Sequence, residues 1–509
     1  MPINSFFSWY IKRRINQIDL FREFPLEVQF ETLIDLLKSA SNTEWGIKYS
    51  YSKIKDYNQF RLSSPLQEYE DLKPWVDRLM AGEQNLIWPT ETKWFAKSSG
   101  TTSERSKLIP VTKESLEYCH QKGGKDLLAL YYKNNPKGKL YKGKHLVIGG
   151  STDVNSLSTK SYYGDLSAII IKTLPWWAET KRTPSKEIAL MNEWEEKIEQ
   201  MALKTMHEDV RILIGVPSWT MVLANKILEF SGKKNLKEVW PNLELFMHGG
   251  VSFEPYKKEF QKLIPDSTMN YVESYNASEG FFGIQDSKDS NELLLMLDYG
   301  IFYEFIPMDQ FEGKNSKSVL NLSEIELERN YALVISTNAG LWRYIIGDTI
   351  KFTSILPYKF LITGRTKSFI NVFGEELIVD NAEKAITETC IALDAQIRDY
   401  TACPVFMEDN TRGKHEWIIE FIKTPDDIDL FRTLLDENLR KLNSDYDAKR
   451  TKDMVLEMLT LHVLNEGTFD NWLKSNGRLG GQNKVPRLSN NRKYLEQILK
   501  FSQSQKVSK

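Results

Sequence analysis

The sequence predicts an α/β protein, because helical patterns alternate with short apolar runs. Apolar residues recur at helical spacing over residues 26–40 and 188–205. Short apolar runs of strand length occupy residues 145–148, 211–214 and 243–247. Runs of this kind are typical of a buried sheet with helices on both faces.

Two later regions have patterns of their own. Consecutive strand-like runs predict an antiparallel β subdomain, and they cover residues 293–297, 301–306, 323–327, 331–336 and 349–352. Further along, helical patterns at residues 382–392 and 427–442 flank a strand-like run at residues 416–422. This arrangement predicts a small α+β domain. We therefore expect a large N-terminal domain over residues 1–363 and a small C-terminal domain over residues 364–509.

Length and charge exclude several classes of protein. A chain of 509 residues is long enough for two or more domains. Its 67 Lys and Arg residues against 69 Asp and Glu residues leave a net charge of -2, which does not favour nucleic-acid binding. No apolar run approaches the roughly 18 residues that span a bilayer. Segment 1–21 has basic residues inside an amphipathic pattern, so it is expected to pack on its own domain rather than act as a secretory signal or a membrane-surface helix.

The cysteines and histidines point to a reducing compartment and to oxygen ligands for any metal. Cys119, Cys390 and Cys403 are odd in number and far apart, which argues against a disulfide framework and favours a cytoplasmic location. The six histidines show no spacing typical of a zinc site. Any bound metal is therefore expected to be one that prefers oxygen, such as magnesium.

A cluster of small hydroxylated residues precedes a lysine in the segment Ser98-Ser99-Gly100-Thr101-Thr102-Ser103 with Lys107. Hydroxyls and exposed N–H groups donate hydrogen bonds to phosphate, and a lysine adds a mobile positive charge. The spacing differs from that of a Walker loop, which has a second glycine directly before its lysine. The cluster predicts a phosphate-binding loop, with a Ser/Thr-rich surface turn as the alternative.

A second motif, Tyr275-Asn276-Ala277-Ser278-Glu279, follows His248-Gly249-Gly250 by about 25 residues. Both lie near predicted strands, and ligands usually bind at the carboxyl ends of such strands. Tyr275 could stack on a base, and Glu279 could hold magnesium through oxygen. The alternatives are a core tyrosine with a surface glutamate, or a hydrolase with an oxyanion loop at His248. In such a hydrolase Ser278 would be the nucleophile on a tight elbow. That elbow needs glycine two residues earlier, where this chain has Asn276.

Two further motifs complete the set. The motif Trp342-Arg343-Tyr344-Ile345-Ile346-Gly347-Asp348 lies just before Leu361-Ile362-Thr363-Gly364-Arg365, and the Asp348 carboxylate can accept hydrogen bonds from two ribose hydroxyls. Lys484 lies in a glycine-flanked segment near the C-terminus, where a flexible cation could reach a reacting phosphate. Taken singly, a motif such as that of Asp348 is more often a capped turn, and a lysine such as Lys484 is more often solvated at the surface.

In this order, the four motifs resemble those of the adenylate-forming superfamily, and specifically of the Gretchen Hagen 3 (GH3) family of acyl acid amido synthetases. The resemblance extends from Thr43-Glu44-Trp45-Gly46 to Arg487. It implies an adenylate-forming fold in which a small mobile cap follows a large domain that binds ATP and the acid. Two departures are visible. Ile345 stands where plant members usually have arginine, with Arg343 before Tyr344 instead, and Ser368 stands where the superfamily often has aspartate.

The resemblance also implies the reaction. ATP and Mg²⁺ would activate a small-molecule carboxylic acid as an acyl-adenylate, and the acyl group would pass to an amine or amino acid to form an amide. An acyl-CoA ligase is the first alternative, and a non-catalytic or hydrolytic relative is the second. Basic runs in the cap, such as Arg440-Lys441, usually decorate solvated helices and do not favour CoA.

The implied catalytic residues are Lys484, which would stabilise transition-state charge, and Glu279, which would hold magnesium. The implied ATP-binding residues are Ser98, Ser99, Gly100, Thr101, Thr102, Ser103, Lys107, Gly249, Gly250, Tyr275, Asn276, Ala277, Ser278, Asp348 and Arg365. Candidates for the acid pocket are the aromatic residues Tyr162, Tyr163, Trp176, Trp177, Trp219 and Phe281.

Overall fold

The structure is a computed structural model. It describes residues 9–11, 13–98, 107–150, 155–158, 161–250, 253, 256–288, 290–366, 369–375, 377–407, 411–476 and 485–507. The predicted residues Ser99, Gly100, Thr101, Thr102, Ser103 and Lys484 lie outside these ranges, as do Ser368 and the first eight residues.

The strands follow one another along most of the chain. Their bounds are β1 Trp94–Ser98, β2 Lys107–Val111, β3 Lys144–Val147, β4 Asn155–Ser158, β5 Ser161–Asp165, β6 Arg182–Thr183, β7 Val210–Gly215, β8 Leu245–Gly249, β9 Asn270–Ala277, β10 Gly280–Gln285, β11 Leu293–Leu295, β12 Ile301–Pro307, β13 Asn330–Thr337, β14 Tyr344–Ile355, β15 Tyr358–Arg365, β16 Phe369–Ile370, β17 Leu377–Ile378, β18 Gln396–Val405, β19 Lys414–Lys423 and β20 Thr460–Leu464.

Helices separate many of these strands. The α-helices are Ile15–Glu23, Pro25–Ala40, Glu44–Lys48, Tyr57–Ser63, Tyr69–Met80, Lys113–Ser115, Gln121–Asn134, Leu166–Thr173, Trp176–Glu179, Lys186–Ala189, Trp194–Thr205, Pro217–Ser231, Leu236–Val239, Lys257–Leu263, Val379–Ala392, Ile428–Leu442, Ser444–Arg450, Thr468–Ser475 and Lys493–Val507. A π-helical turn, Leu116–His120, joins two of them, and 3₁₀ turns occur at Tyr51–Lys53, Leu140–Lys142, Met308–Gln310, Leu322–Glu324 and Thr451–Asp453.

One large mixed sheet dominates the described part of the chain. Its eleven described strands run in the order β12-β13-β14-β15-β11-β10-β9-β8-β7-β3-β6. Pairing is parallel from β6 through β9 and antiparallel from β9 through β12. Four of the five predicted antiparallel strands are thus confirmed, and they continue the same sheet as the parallel strands. A smaller sheet, β2-β1-β5-β4, lies beside it.

Both faces of the parallel strands are covered, as the apolar runs predicted. Successive side chains of a strand point to opposite faces of its sheet. Ile212 and Leu245 accordingly belong to one core cluster, whereas their chain neighbours Leu213 and Phe246 belong to another. The N-terminal helix Ile15–Glu23 buries Ile18 and Phe21 in the first cluster, so the described part of the N-terminal segment packs on its own domain.

Two of the sequence-predicted elements are wrong. Residues 188–205 do not form one helix, because the backbone is extended at Glu193 between helices Lys186–Ala189 and Trp194–Thr205. Residues 323–327 do not form a strand. Asn321 Oδ1 accepts a hydrogen bond from the Ser323 N–H at 2.8 Å, and Glu324 Oε2 accepts one from the Asn321 N–H at 2.9 Å. This capping box holds the segment in a 3₁₀ turn.

The C-terminal part has the α+β composition that the sequence predicts. Strands β18, β19 and β20 form a three-stranded sheet. Helices Val379–Ala392 and Ile428–Leu442 pack on one of its faces through a cluster that includes Ile386 and Leu435. The last two helices pack elsewhere on this sheet, in a separate cluster with Ile418 and Trp472. In the ranges that the structure describes, no helix is both long and apolar enough to cross a bilayer.

Arg343, one of the two departures from the family pattern, belongs to the core. Its guanidinium donates to Glu304 at 2.8 Å and to the Ser64 carbonyl at 2.6 Å. The two side chains are 4% and 0% exposed, so this is a buried ion pair. Ile345 is also buried, in a cluster with Leu66 and Ile306. Neither residue lies where it could contact a ligand of the large cavity described below.

Removal of the Arg343 guanidinium should destabilise the fold, because Glu304 would keep a buried charge without its partner. Arg343→Met is expected to lower the free energy of unfolding by about 3–5 kcal/mol, measured by urea denaturation. Arg329→Met is the matched control, because Arg329 pairs with Asp309 at the surface, where an ion pair contributes little. Equal effects of the two substitutions would contradict this assignment.

Candidate active site

A cavity of about 1580 Å³ lies where the carboxyl ends of β8 and β9 meet strands β14 and β15 and the C-terminal part of the chain. Strand ends from the parallel half of a sheet commonly form ligand sites. Its wall includes most of the predicted site residues within the described ranges, namely Ser98, Gly249, Gly250, Tyr275, Asn276, Ala277, Ser278, Glu279, Asp348 and Arg365. The structure therefore brings motifs from four separate regions of the sequence to one cavity.

Asp348 links two strands that are far apart in the sheet. Its carboxylate accepts hydrogen bonds from the Tyr275 hydroxyl on β9 and from Arg365 Nε on β15, the latter at 2.8 Å. Strands β14 and β9 are separated by four strand-to-strand steps, or roughly 19 Å in a flat sheet. A tyrosine and an aspartate cannot reach across that distance, so the sheet must curl at this point. Tyr275 also packs against Phe282 and Phe360, with ring centroids 4.8 and 6.2 Å away.

Glu279 lies in the tight hairpin between β9 and β10. Ala277 and Gly280 are paired in the ladder, which leaves Ser278 and Glu279 as a two-residue turn. The Glu279 side chain is buried, and this burial raises the pKa of its carboxyl from the ordinary 4.5 to about 7. The positive charge of Lys107 opposes the shift in pKa. A buried carboxyl with a raised pKa beside a cavity is typical of a functional site.

The predicted phosphate loop has a defined base. Ser98 and Lys107, the described residues on either side of the predicted loop, are partners in the antiparallel ladder of β1 and β2. Ser98 lines the cavity, whereas Lys107 is buried and donates from Nζ to the Tyr344 hydroxyl at 3.4 Å. The positive charge of Lys107 reaches Glu279, and the contact with phosphate predicted for Lys107 stays a prediction. The roles predicted for residues 99–103 and Lys484 stay predictions.

The donor set suits magnesium better than zinc. Within the described ranges, no three His, Cys, Asp or Glu side chains are placed to hold a metal by themselves. Magnesium usually binds through one or two carboxylates, with substrate phosphates and water completing the shell. Glu279 supplies one such carboxylate at the cavity wall, close to the base of the predicted phosphate loop. The residues present therefore fit a magnesium ion that arrives with a nucleotide.

The glycine pair Gly249-Gly250 at the end of β8 lets the backbone lie close to Ser274 on β9. A Cβ atom on Gly249 would lie 2.4 Å from the Ser274 carbonyl oxygen, and Gly250 has a φ of +82°.

His248 stacks on Phe253 with ring centroids 4.1 Å apart, and burial lowers the pKa of its imidazole to about 3. Ser278 lies in a turn between two antiparallel strands rather than at a strand-to-helix elbow. The hydrolase alternative therefore lacks the geometry of its nucleophile.

Three of the six aromatic candidates line the cavity, and they are Trp177, Trp219 and Phe281. Trp194, which the sequence did not single out, stacks on Trp219 with ring centroids 3.9 Å apart and planes inclined by 10°. Trp176 is 77% exposed, and Tyr162 packs on Trp94 with centroids 5.2 Å apart. Fewer of the aromatic candidates therefore line the cavity than the sequence predicted.

Sequence reasoning missed a group of charged residues at the cavity. Lys197 is completely buried and donates from Nζ to the carbonyls of Gly149 and Gly150 at 3.0 and 2.9 Å. Burial lowers the pKa of Lys197 to about 8 and raises that of Asp165 to about 6. Lys197 lies behind the cavity wall, whereas Asp165 lines the cavity together with Asp445 and Lys449, which lie on a helix of the C-terminal part. No local motif marks these residues, because in sequence they resemble ordinary surface charges.

Comparison with protein families shows the same organisation along the chain. The model of the GH3 family N-terminal domain matches residues 14–269, that of the central domain matches residues 294–365, and that of the C-terminal domain matches residues 380–493. Among solved structures, the "GH3.15 acyl acid amido synthetase" superimposes with a TM-score of 0.62 at 19% identity, over 99% of this chain and 97% of that one. A 2-hydroxyisobutyryl-CoA ligase superimposes with a TM-score of 0.52 at 12% identity, over 93% and 92%.

Curated relatives are similar over nearly their whole length. The indole-3-acetic acid-amido synthetase GH3.4 of Arabidopsis thaliana is 24% identical over 95% of this chain and 92% of its own. The 4-substituted benzoates-glutamate ligase GH3.12 of the same plant is 23% identical over 92% and 94%. The fold is thus that of the adenylate-forming ligases, as predicted. The chain belongs to the GH3 family, which confirms the predicted class of enzyme, an acid–amino acid ligase.

The raised pKa of Glu279 predicts that the stability of the native state depends on pH. The native carboxyl keeps its proton up to about pH 7, whereas an unfolded chain loses it near 4.5, so the native state loses stability as the pH rises through this range. Glu279→Gln has no proton to lose. Without ligands, its melting temperature should exceed that of the unaltered protein at pH 8, with a smaller difference at pH 5. Glu196→Gln, at an exposed position, serves as control, and a pH-independent difference for Glu279→Gln would contradict the assignment.

Proposed function

We propose that this protein uses ATP to activate a small-molecule carboxylic acid as an acyl-adenylate and then transfers the acyl group to an amino acid. The observation that carries the proposal is the single cavity that joins Glu279, Asp348 and the base of the Ser98 loop to an aromatic wall. The proposed roles are metal binding by Glu279, ribose binding by Asp348, phosphate binding by the predicted loop after Ser98, and contact of the acid with the aromatic rings. Family membership and the names of the relatives support the same reaction.

In the first half-reaction, an oxygen of the substrate carboxylate attacks the α-phosphorus of ATP, and pyrophosphate leaves. Asp348 would bind the ribose, because Tyr275 and Arg365 occupy only part of its acceptor capacity. Gly249 and Gly250 let the backbone at this edge of the cavity lie close to Ser274 and turn through a positive φ, so the nucleotide would meet backbone there rather than side chains. A magnesium ion held by Glu279 would supply positive charge to the phosphate oxygens. The loop from Ser98 would add hydrogen-bond donors to the same oxygens.

In the second half-reaction, the amine nitrogen of the acceptor attacks the carbonyl carbon of the adenylate. The carbon–oxygen bond to phosphate breaks, AMP leaves, and the nitrogen gives up its excess protons. We propose that residues 364–509 form the mobile cap that admits the acceptor after adenylation, with Lys484 delivered to the phosphate beforehand. The interval between residues 365 and 380, where two family models end and begin, supports a boundary in this region.

The acid is proposed to have an apolar body, since Trp177, Trp219 and Phe281 offer it an aromatic surface. A cytoplasmic location remains part of the proposal. Its support is that the cysteines Cys119, Cys390 and Cys403 are all free.

Product analysis separates amide formation from thioester formation. The protein, ATP and Mg²⁺ are incubated with a panel of apolar acids, each with mixed amino acids or with CoA, and products are identified by mass spectrometry. N-acyl amino acids and stoichiometric AMP are expected. Efficient acyl-CoA formation without any amide would instead assign the acyl-CoA ligase reaction. Absence of pyrophosphate release with every acid would contradict both.

Asp348 should act on the nucleotide and not on the acid. Asp348→Asn keeps the shape of the side chain but weakens its hydrogen bonds, each of which contributes about 1.5–3 kcal/mol when one partner is charged. The apparent KM for ATP should rise about tenfold or more, with the KM for the acid nearly unchanged. Asp394→Asn, at a position 91% exposed, is the control. A rise in the acid KM alone would show that Asp348 belongs to the acid pocket.

A further inference from the structure

Four charged side chains meet at the cavity where the C-terminal domain faces the rest of the protein. Lys97 and Asp165 lie on neighbouring strands, directly opposite each other in the parallel register of β1 and β5. Asp445 and Lys449 come from the helix Ser444–Arg450. All four line the cavity, and the reaction proposed above uses none of them. We refer to them as the seam cluster.

The helix that carries Asp445 and Lys449 is held in a fixed orientation. Residues four apart lie on one face of a helix, so these two side chains project together toward the cavity. An adjacent face is anchored by Tyr446 and Arg450, which donate to Asp436 at 2.6 and 2.8 Å. Asn443 caps the helix by accepting from the Asp445 and Tyr446 N–H groups. Contacts with the core of the domain therefore fix the positions of Asp445 and Lys449.

The charges of the seam cluster do not neutralise each other by direct contact. In the described part of the protein, none of the four side chains forms an ion pair within 4.0 Å or a hydrogen bond. Burial raises the pKa of both carboxyl groups, with a further contribution from Asp445 at Asp165, and the charges of Lys449 and Lys97 offset that rise only in part. Placing charges in such surroundings without partners is costly. The cost is understandable if a ligand that carries both signs completes the pairs.

An apolar surface adjoins the charges. Lys449 Nζ lies 5.8 Å from the centroid of Trp219, which is itself stacked on Trp194. A ligand held by the seam cluster would thus find a flat hydrophobic wall beside its charged groups.

We propose that the seam cluster binds the acceptor as an α-amino acid zwitterion. Asp165 and Asp445 receive the ammonium group, Lys97 and Lys449 receive the carboxylate, and the side chain rests near Trp219. An amine without a carboxylate would satisfy only half of the cluster. This inference rests on the proposed function, and it names the class of acceptor and the residues that recognise it.

The test compares adenylation with acceptor use in the full-length enzyme. The variants are Lys449→Met and Asp445→Asn, and the control is Lys474→Met, which removes an exposed charge from the same domain. ATP–pyrophosphate exchange with the acid alone reports adenylation. Amide formation is then measured with the best amino acid from the acceptor panel and with the amine that lacks its carboxylate.

Lys449→Met should raise the KM for the amino acid by about tenfold or more and leave exchange and use of the carboxylate-free amine unchanged. Asp445→Asn should weaken both acceptors, and Lys474→Met should change nothing. A rise in the KM for ATP in Lys449→Met, with normal acceptor use, would overturn the proposal and assign the lysine to phosphate. Equal use of both acceptors by the unaltered enzyme would also overturn it. If the unaltered enzyme catalysed no exchange, the proposed function would fail as well.

Discussion

The curl of the large sheet at Tyr275 and Asp348 is the constraint on which the rest of the site depends. In the hydrogen-bonded order of strands these residues lie far apart, yet their side chains are bonded to each other. The curl brings the β9–β10 hairpin, with Glu279 at its turn, to the same cavity as Arg365 at the end of β15. Without it, the motifs would face different parts of the surface. The hydrophobic packing of Tyr275 against Phe282 and Phe360 supports the curl from the core side.

The site is surrounded by charges that the fold holds at a cost. Burial shifts the pKa of Glu279 and Asp165 upward and that of Lys197 downward, so each is less favourably charged than in water. Lys197 is compensated by two carbonyls of the Gly149-Gly150 loop. The charge of Lys107 offsets the shift at Glu279 only in part, and the charges of Lys449 and Lys97 offset that at Asp165 only in part. Such positions are where a ligand or metal gains most, because its charge replaces the water that burial has removed.

The sequence was sufficient for the architecture and for the residues that belong to local motifs. Alternating helices and apolar runs predicted the covered sheet, and short motifs around Ser98, Tyr275 and Asp348 predicted residues that now line one cavity. Failures occurred where a local hydrogen bond outweighs a pattern, as in the capped turn after Asn321. No sequence pattern marks Lys197, Asp445 and Lys449, because only their place in the tertiary structure distinguishes them from surface charges. A lysine on an amphipathic helix has the same appearance in sequence whether it faces water or a cavity.

The most direct measurement of the central claim is a crystal structure of the protein with Mg²⁺ and an α,β-methylene analogue of ATP, which cannot be cleaved at the α-phosphorus. The ribose hydroxyls should lie within hydrogen-bond distance of Asp348, the adenine close to Tyr275 and its neighbours, and the metal on the Glu279 carboxylate. A nucleotide bound away from both Asp348 and Glu279 would contradict the account, because the curled sheet would then serve a purpose other than adenylation.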